Sequence, residues 1–205
     1  MPKMYKGGLD MWSVGSGKML GIPSLNTDTT TNDFCQAMYN SKADIICKEC
    51  YSMSMLNTFR KNCKPKFLNN SKFLSEKVHP REYLPICPSN TGRFHSHGEL
   101  INSNHFYNII NICLNQPITT FSLWTKRRNI VSRVLNNTTK PSNLILIYSN
   151  PYIDKLDVEL PKYFDKVFNN VSEDSSIVNC SKKCIECMMC YTIDNPTTQI
   201  IEVIK

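Results

Sequence analysis

The sequence predicts an α/β protein built on a parallel sheet, either a partial, open parallel βα barrel or a small doubly wound sheet. Three observations predict it. From about residue 91, strand-like and helical runs alternate at the spacing of βαβ units. One of those strands, Leu144-Ile-Leu-Ile-Tyr148, is almost wholly apolar, as a strand covered on both faces must be. The chain has 205 residues and too few such units for an eight-fold barrel of about 250 residues.

The elements follow in order. Residues 1–46 are rich in Gly, Thr and Asn and read as loop, with one short strand at Met11-Trp-Ser-Val14 and a Thr/Asn tract at 26–32. Met53, Leu56, Phe59, then Phe67, Leu68, Phe73 and Leu74 mark helical stretches within 51–78, and Pro65 is expected to break them. Arg93-Phe-His-Ser96 reads as a strand. Ser103 or Asn104 then caps a helix whose Phe106, Ile109, Ile110 and Cys113 fall at i, i+3, i+4 and i+7, and Pro117 ends it. Thr119–Trp124 is the next strand, and Ile130, Val131, Val134 and Leu135 mark the next helix. Lys166–Phe168 and Ser176–Val178 are short strand candidates, and Gln199–Ile204 closes the chain. The expected organisation is one domain: a loop- and helix-rich part (1–90), a βαβαβ core (91–170) and a cysteine-rich segment (171–205).

Composition narrows the setting. A hydrophobic fraction of 41% and a charged fraction of 20% are those of a globular chain. The net charge of +7 suits an anionic partner, a nucleic acid or a nucleotide. The basic residues come in scattered pairs (Arg60-Lys61, Arg127-Arg128, Lys182-Lys183), so solubility explains them equally well. The Met1–Gly8 segment lacks the apolar core of a signal peptide, and no run approaches the roughly 20 apolar residues of a membrane helix. A cytoplasmic protein without a membrane partner is expected, in a compartment that keeps thiols reduced. There, ten cysteines point to metal.

Two cysteine groups stand out. Cys180-x3-Cys184-x2-Cys187-x2-Cys190 packs four thiols into eleven residues. Zinc sites usually draw two Cys-x2-Cys pairs from separate loops, whereas this run is like a ferredoxin run read in reverse, so iron–sulfur is favoured over zinc. Cys35-x11-Cys47-x2-Cys50 supplies three ligands. A [4Fe–4S] cluster on three thiolates leaves one iron open. The alternative is a zinc site shared between Cys47, Cys50 and two cysteines of the later group. Cys113 is expected in the core, and Cys63 and Cys87 in polar loops.

In parallel α/β sheets, ligands bind beyond the carboxyl ends of the strands. Here those ends carry His95-Ser-His97-Gly98-Glu99, then Thr125-Lys126, then Tyr148-Ser-Asn150. His95 and His97 are read as sharing one strand face, where a buried histidine satisfied by a neighbour is as good an account as a ligand contact.

The early cysteine with Cys47-Lys-Glu-Cys50-Tyr51, Arg93-Phe-His-Ser-His-Gly-Glu99, Thr120-Phe-Ser-Leu-Trp-Thr-Lys126 and the Cys180–Cys190 run occur in this order across residues 11–205. The set resembles the gene product 88-like proteins of phages and prophages and, more distantly, the radical S-adenosylmethionine (SAM) superfamily. The resemblance implies a radical-SAM-like partial barrel, a [4Fe–4S] cluster with SAM on its open iron, an electron donor, and the host cytoplasm. It also implies that His97, Gly98 and Glu99 position SAM, that Lys126 meets its carboxylate or the substrate, and that Tyr148 or Asn150 bonds its ribose or adenine. The chain departs from the superfamily in the eleven-residue first gap; its Cys-x3-Cys-x2-Cys spacing lies at 180–187 instead. The rival expectation is a non-enzymatic, metal-stapled nucleic-acid-binding or regulatory protein, holding zinc or iron–sulfur.

Overall fold

The structure of the protein, a computed structural model, describes residues 11–204. The Met1–Gly8 segment read above for a signal peptide lies outside the described residues.

Seven strands form one sheet: β1 (Trp12–Ser13), β2 (Ser24–Leu25), β3 (Thr91–Phe94), β4 (Thr120–Thr125), β5 (Leu144–Ile153), β6 (Lys166–Val171) and β7 (Gln199–Val203). Their spatial order is their chain order. β1 runs antiparallel to β2, and every later pairing is parallel. A doubly wound sheet reverses its strand order at a switch point, and this sheet has none, so that alternative is not formed. With right-handed crossovers and no reversal, the connecting helices fall on one face. An open barrel has the same winding.

The helices are α1 (Asp33–Tyr39), α2 (Tyr51–Asn57), α3 (Lys64–Glu76), α4 (Ser103–Asn115), α5 (Arg128–Leu135) and α6 (Cys184–Cys187). Alternation along the strands then divides the core. Phe94, Phe121, Leu123, Leu144, Leu146, Tyr148 and Val167 pack in one cluster with Leu74 of α3, Ile109 and Cys113 of α4, and Val131 and Val134 of α5. Trp124, Ile145, Ile147, Phe168 and Ile200 belong to a second cluster, whose other members come from residues 19–22 and 180–191. The cysteine-rich segment therefore covers the sheet face that the helices leave bare.

Several elements differ from expectation. Pro65 sits in the first turn of α3, where its missing N–H is no loss, and the break falls before it. The cap of α4 is Asn102, whose side chain accepts from His105 N, one residue before the expected caps. Ser176 and Ile177 form an exposed turn and Val178 follows half-buried, with no strand there. Cys87 is 6% exposed rather than in a polar loop. A Cβ on Gly92 would meet its Sγ at 2.9 Å, so this thiol is part of the core under β3.

The Thr/Asn tract is a buried polar loop. Asn26 Oδ1 accepts from Ser96 N (3.0 Å), His97 N (3.0 Å) and Ser96 Oγ (2.7 Å). Asn32 accepts from Phe34 N and Cys35 N to cap α1, and its Nδ2 donates to Glu99 O at 3.1 Å. The loop after β2 thus sets the shape of the loop after β3. His95 takes a left-handed turn (φ 63°), so it and His97 do not share a strand face. Ile101 N donates to His105 Nδ1 (3.3 Å), which leaves His105 Nε2 protonated and facing His95 Nε2 at 3.4 Å. Ser52 Oγ and His97 Nδ1 share a 2.8 Å hydrogen bond. Burial holds all three imidazoles neutral, His95 down to about 3, His97 to about 4, and His105 well below its ordinary value.

These lowered values set a pH dependence. Below pH 6.5 the unfolded chain takes up protons that the folded chain refuses. Stability is therefore fully present above pH 6.5 and falls as pH drops toward 4, by about 1.4 kcal/mol per unit for each histidine. Urea unfolding at pH 7 and pH 5 measures this. His105→Gln should flatten the dependence, and equal wild-type midpoints at the two pH values would contradict it.

Candidate metal centre

The first cysteine group is assembled from three short elements. Asn32 fixes the start of α1 and so places Cys35 in its first turn. Cys47 lies in the 3-10 turn Ile46–Glu49, which packs against β5. Cys50 is the residue that caps α2. Eleven residues separate Cys35 from Cys47 in sequence, and α1 with the following turn folds that length back on itself.

The three thiols lie within electrostatic reach of Lys126, the residue after β4. Burial raises the Cys35 thiol first, with Glu99 and Cys50 adding to it and Lys126 opposing. Cys47 is likewise raised by burial, against Lys126. Burial alone would lower Lys126, yet Cys47, Glu99, Cys50 and Cys35 together raise it. Its ammonium donates to the neutral Ser149 Oγ at 2.8 Å.

Glu99 is held by the fold itself. Its Oε1 accepts from Leu100 N (2.7 Å) and Thr125 Oγ1 (2.5 Å), and its Oε2 from Lys126 N (2.8 Å). Burial raises this carboxyl, and Lys126 and the three donors pull it back. It bolts the end of β3 to the end of β4. Gly98 has φ +93°, and a Cβ there would stand 2.0 Å from Thr27 Oγ1 and 2.6 Å from Thr27 O. Close approach of two loops requires this glycine. His97 is 5% exposed, against Ser52, Tyr51 and Phe67.

The other expected residues lie apart from the thiols. Tyr148 alternates onto the helix side, where its ring meets Phe164 edge-on at 5.7 Å. Asn150 is wholly buried, donating to Lys155 O (2.7 Å) and Asn169 Oδ1 (3.0 Å). Ser149, between them, is the residue that reaches Lys126. Its parity with Ile147 in an alternating strand is the signal that could have singled it out.

The second group lies on the inner sheet face. Cys180, Cys184, Cys187 and Cys190 all line one small cavity of about 20 Å³, with Tyr191 and Ile200 among its walls. Lys18 Nζ donates to Cys180 O (2.6 Å) and approaches Cys180 Sγ at 3.4 Å, while pairing with Glu202 at 2.5 Å. Arg93 stacks on Trp124 with its guanidinium carbon 3.8 Å from the ring centroid. Burial raises Cys190 to about 12, with Arg93 opposing and Cys180, Cys184 and Cys187 adding. Among the described residues, no mixed set of cysteines from the two groups comes together as a metal site.

The donor set suits a thiolate-bound metal: all ten cysteines are free thiols, and each group has its own cations. Among the described residues, no three His, Cys, Asp or Glu side chains converge tightly enough for a single ion.

Fold and site together define an α/β protein with a singly wound, mostly parallel sheet and two thiol groups on its inner face and carboxyl end. The chain matches the family described as gene product 88 over residues 4–188 and belongs to it. No curated protein and no solved structure matches it. Among the described residues, no helix is long and apolar enough to cross a membrane.

Gly98→Ala should lower the unfolding midpoint, with about 1–3 kcal/mol coming from the backbone alone. An unchanged denaturation curve would show that the Thr27 contact does not shape the loop.

Proposed function

We propose that this is an iron–sulfur protein in which Cys35, Cys47 and Cys50 hold a [4Fe–4S] cluster, and that this cluster serves a radical-SAM-like reaction. What supports the reading is that Cys35 of α1, Cys47 of the 3-10 turn and Cys50 at the start of α2 all act electrostatically on Lys126, at the strand ends where parallel sheets bind ligands. The sequential strand order supports the finer reading of the fold as a radical-SAM-like partial barrel.

A cluster bound there would supply one-electron reduction of a ligand at its open iron, with an electron donor as partner. The chain's own residues do the positioning. Lys126 holds a positive charge between the thiolates and the carboxylate of the ligand, SAM in this reading. Ser149 orients that ammonium. Glu99 acts through Thr125 and the Lys126 backbone, fixing the two loops that frame the site.

The Cys180–Cys190 group holds a second metal centre with a structural task. Its four-residue helix is too short to stand alone, and Cys180, Cys184 and Cys190 pack among Ile22, Trp124 and Ile200. A metal there staples the segment onto the inner face.

Protein prepared without oxygen should contain iron and labile sulfide and show broad visible absorption. Cys47→Ala and Cys50→Ala should each remove one centre and keep the fold. Cys184→Ala and Cys187→Ala should cost solubility and stability, since a structural metal contributes on the order of 10 kcal/mol. Stoichiometric zinc without sulfide would overturn the iron–sulfur reading.

The SAM step has its own measurement. Excess SAM should change the electron paramagnetic resonance spectrum of the reduced cluster and release 5′-deoxyadenosine. Lys126→Met should weaken SAM binding roughly ten- to a hundred-fold, the effect of losing a charge-assisted hydrogen bond. A loaded cluster whose spectrum ignores SAM would leave an iron–sulfur protein without this activity.

A further inference from the structure

Two buried donors beside the second cysteine group have no acceptor. Among the described residues, Arg93 Nε has no hydrogen-bond acceptor, and the Tyr191 hydroxyl meets the Arg93 guanidinium, itself a donor, so its own proton has none. The rest of the Arg93 guanidinium meets neutral groups, Met19 Sδ at 3.3 Å, His95 O at 3.4 Å and the Tyr191 hydroxyl. Proteins rarely leave such groups unsatisfied, because removal from water is unfavourable unless an acceptor replaces it.

What surrounds them is sulfur. Tyr191 lines the same cavity as Cys180, Cys184, Cys187 and Cys190. Its ring lies 5.9 Å from that of Trp124, the ring that Arg93 covers. Tyr191, Cys190 and Cys184 are among the groups acting on Arg93. On the remaining side, Lys18 Nζ already stands 3.4 Å from Cys180 Sγ.

The geometry points to Arg93 and Tyr191 as hydrogen-bond donors to the sulfur atoms of a metal centre on Cys180, Cys184, Cys187 and Cys190, with Lys18 as the third member of that shell. This rests on the reading of the group as a metal site and deepens it. Thiols that bind metal become anionic acceptors, and a guanidinium, an ammonium and a phenol around them offset the charge. The orphaned donors are thereby satisfied when the site is filled, so the shell couples metal binding to the closing of the C-terminal segment over the inner face. Arg93 and Tyr191 are positioning residues, since they act through the ligands.

The test uses the full chain carrying Cys47→Ala and Cys50→Ala, so that the C-terminal group is read. Zinc affinity is measured by chelator competition without oxygen, and the metal-free melting temperature is measured beside it. Tyr191→Phe should leave the metal-free melting temperature equal or higher, because it removes an orphaned hydroxyl. It should weaken zinc binding ten- to a hundred-fold, the usual effect of losing an outer-shell partner. Arg93→Met should weaken zinc similarly, and Arg93→Lys should recover part of the loss. Unchanged zinc affinity in Tyr191→Phe and Arg93→Met would overturn the inference and leave the metal site standing. A lower metal-free melting temperature in Tyr191→Phe would also overturn it, since the hydroxyl would then have an acceptor in the protein. A parent chain that takes up neither zinc nor, on anaerobic reconstitution with iron and sulfide, an iron–sulfur cluster would overturn both the inference and the C-terminal metal site.

Discussion

A sheet wound in one direction puts its crossover helices on one side, and the other side must find different cover. Trp124, Ile145, Ile147, Phe168 and Ile200 all face that second side. A closed barrel solves the problem by turning such a face inward on itself. Here the cover is the stretch from Cys180 to Tyr191, helped by residues 19–22. That stretch has one four-residue helix and little backbone pairing of its own, so it needs side chains to hold it down. Four cysteines at short intervals are suited to that task, and their place in the chain follows from the winding of the sheet.

The same winding brings the first cysteine group to the other functional position. Parallel strands all point their carboxyl ends one way, and the loops after β2, β3 and β4 meet there beside Ser149 of β5. The loop from Asn26 to Asn32 binds the backbone at Ser96, His97 and Glu99, and Glu99 in turn binds Thr125 and Lys126. Lys126 is thereby held within electrostatic reach of Cys35, Cys47 and Cys50. Its ammonium is matched by thiols on one side and by the Ser149 hydroxyl on the other. A lysine within reach of acids of high ordinary pKa gains most when those acids ionise, and metal binding is what ionises thiols near neutral pH.

Much of this was legible in the sequence. The 3.6-residue spacing in 106–113 and the apolar run 144–148 located α4 and β5, because a buried face leaves a periodic trace. The division of the cysteines into 35–50 and 180–190 followed from their spacing. What was hidden depends on tertiary contact. The Thr/Asn tract looked like a low-complexity loop, yet it is buried, since its polar side chains satisfy the loop after β3. Gly98 and Glu99 read as a ligand segment, while their contacts belong to Thr27, Thr125 and Lys126. Tyr148 was chosen over Ser149, although strict alternation from Ile147 assigns the inner face to the serine. Arg93 read only as part of a strand and of the family motif, because a donor atom left without an acceptor is visible only once its neighbours are in place.

The central claim is that thiolates at Cys35, Cys47 and Cys50 bind iron as a cluster and not zinc as single ions. X-ray absorption at the iron and zinc edges of protein prepared without oxygen reads this directly. The account predicts an iron edge with both iron–sulfur and iron–iron scattering, and loss of part of that signal when Cys47 and Cys50 are both replaced by alanine. A zinc edge with sulfur neighbours alone, and no iron–iron scattering, would contradict it.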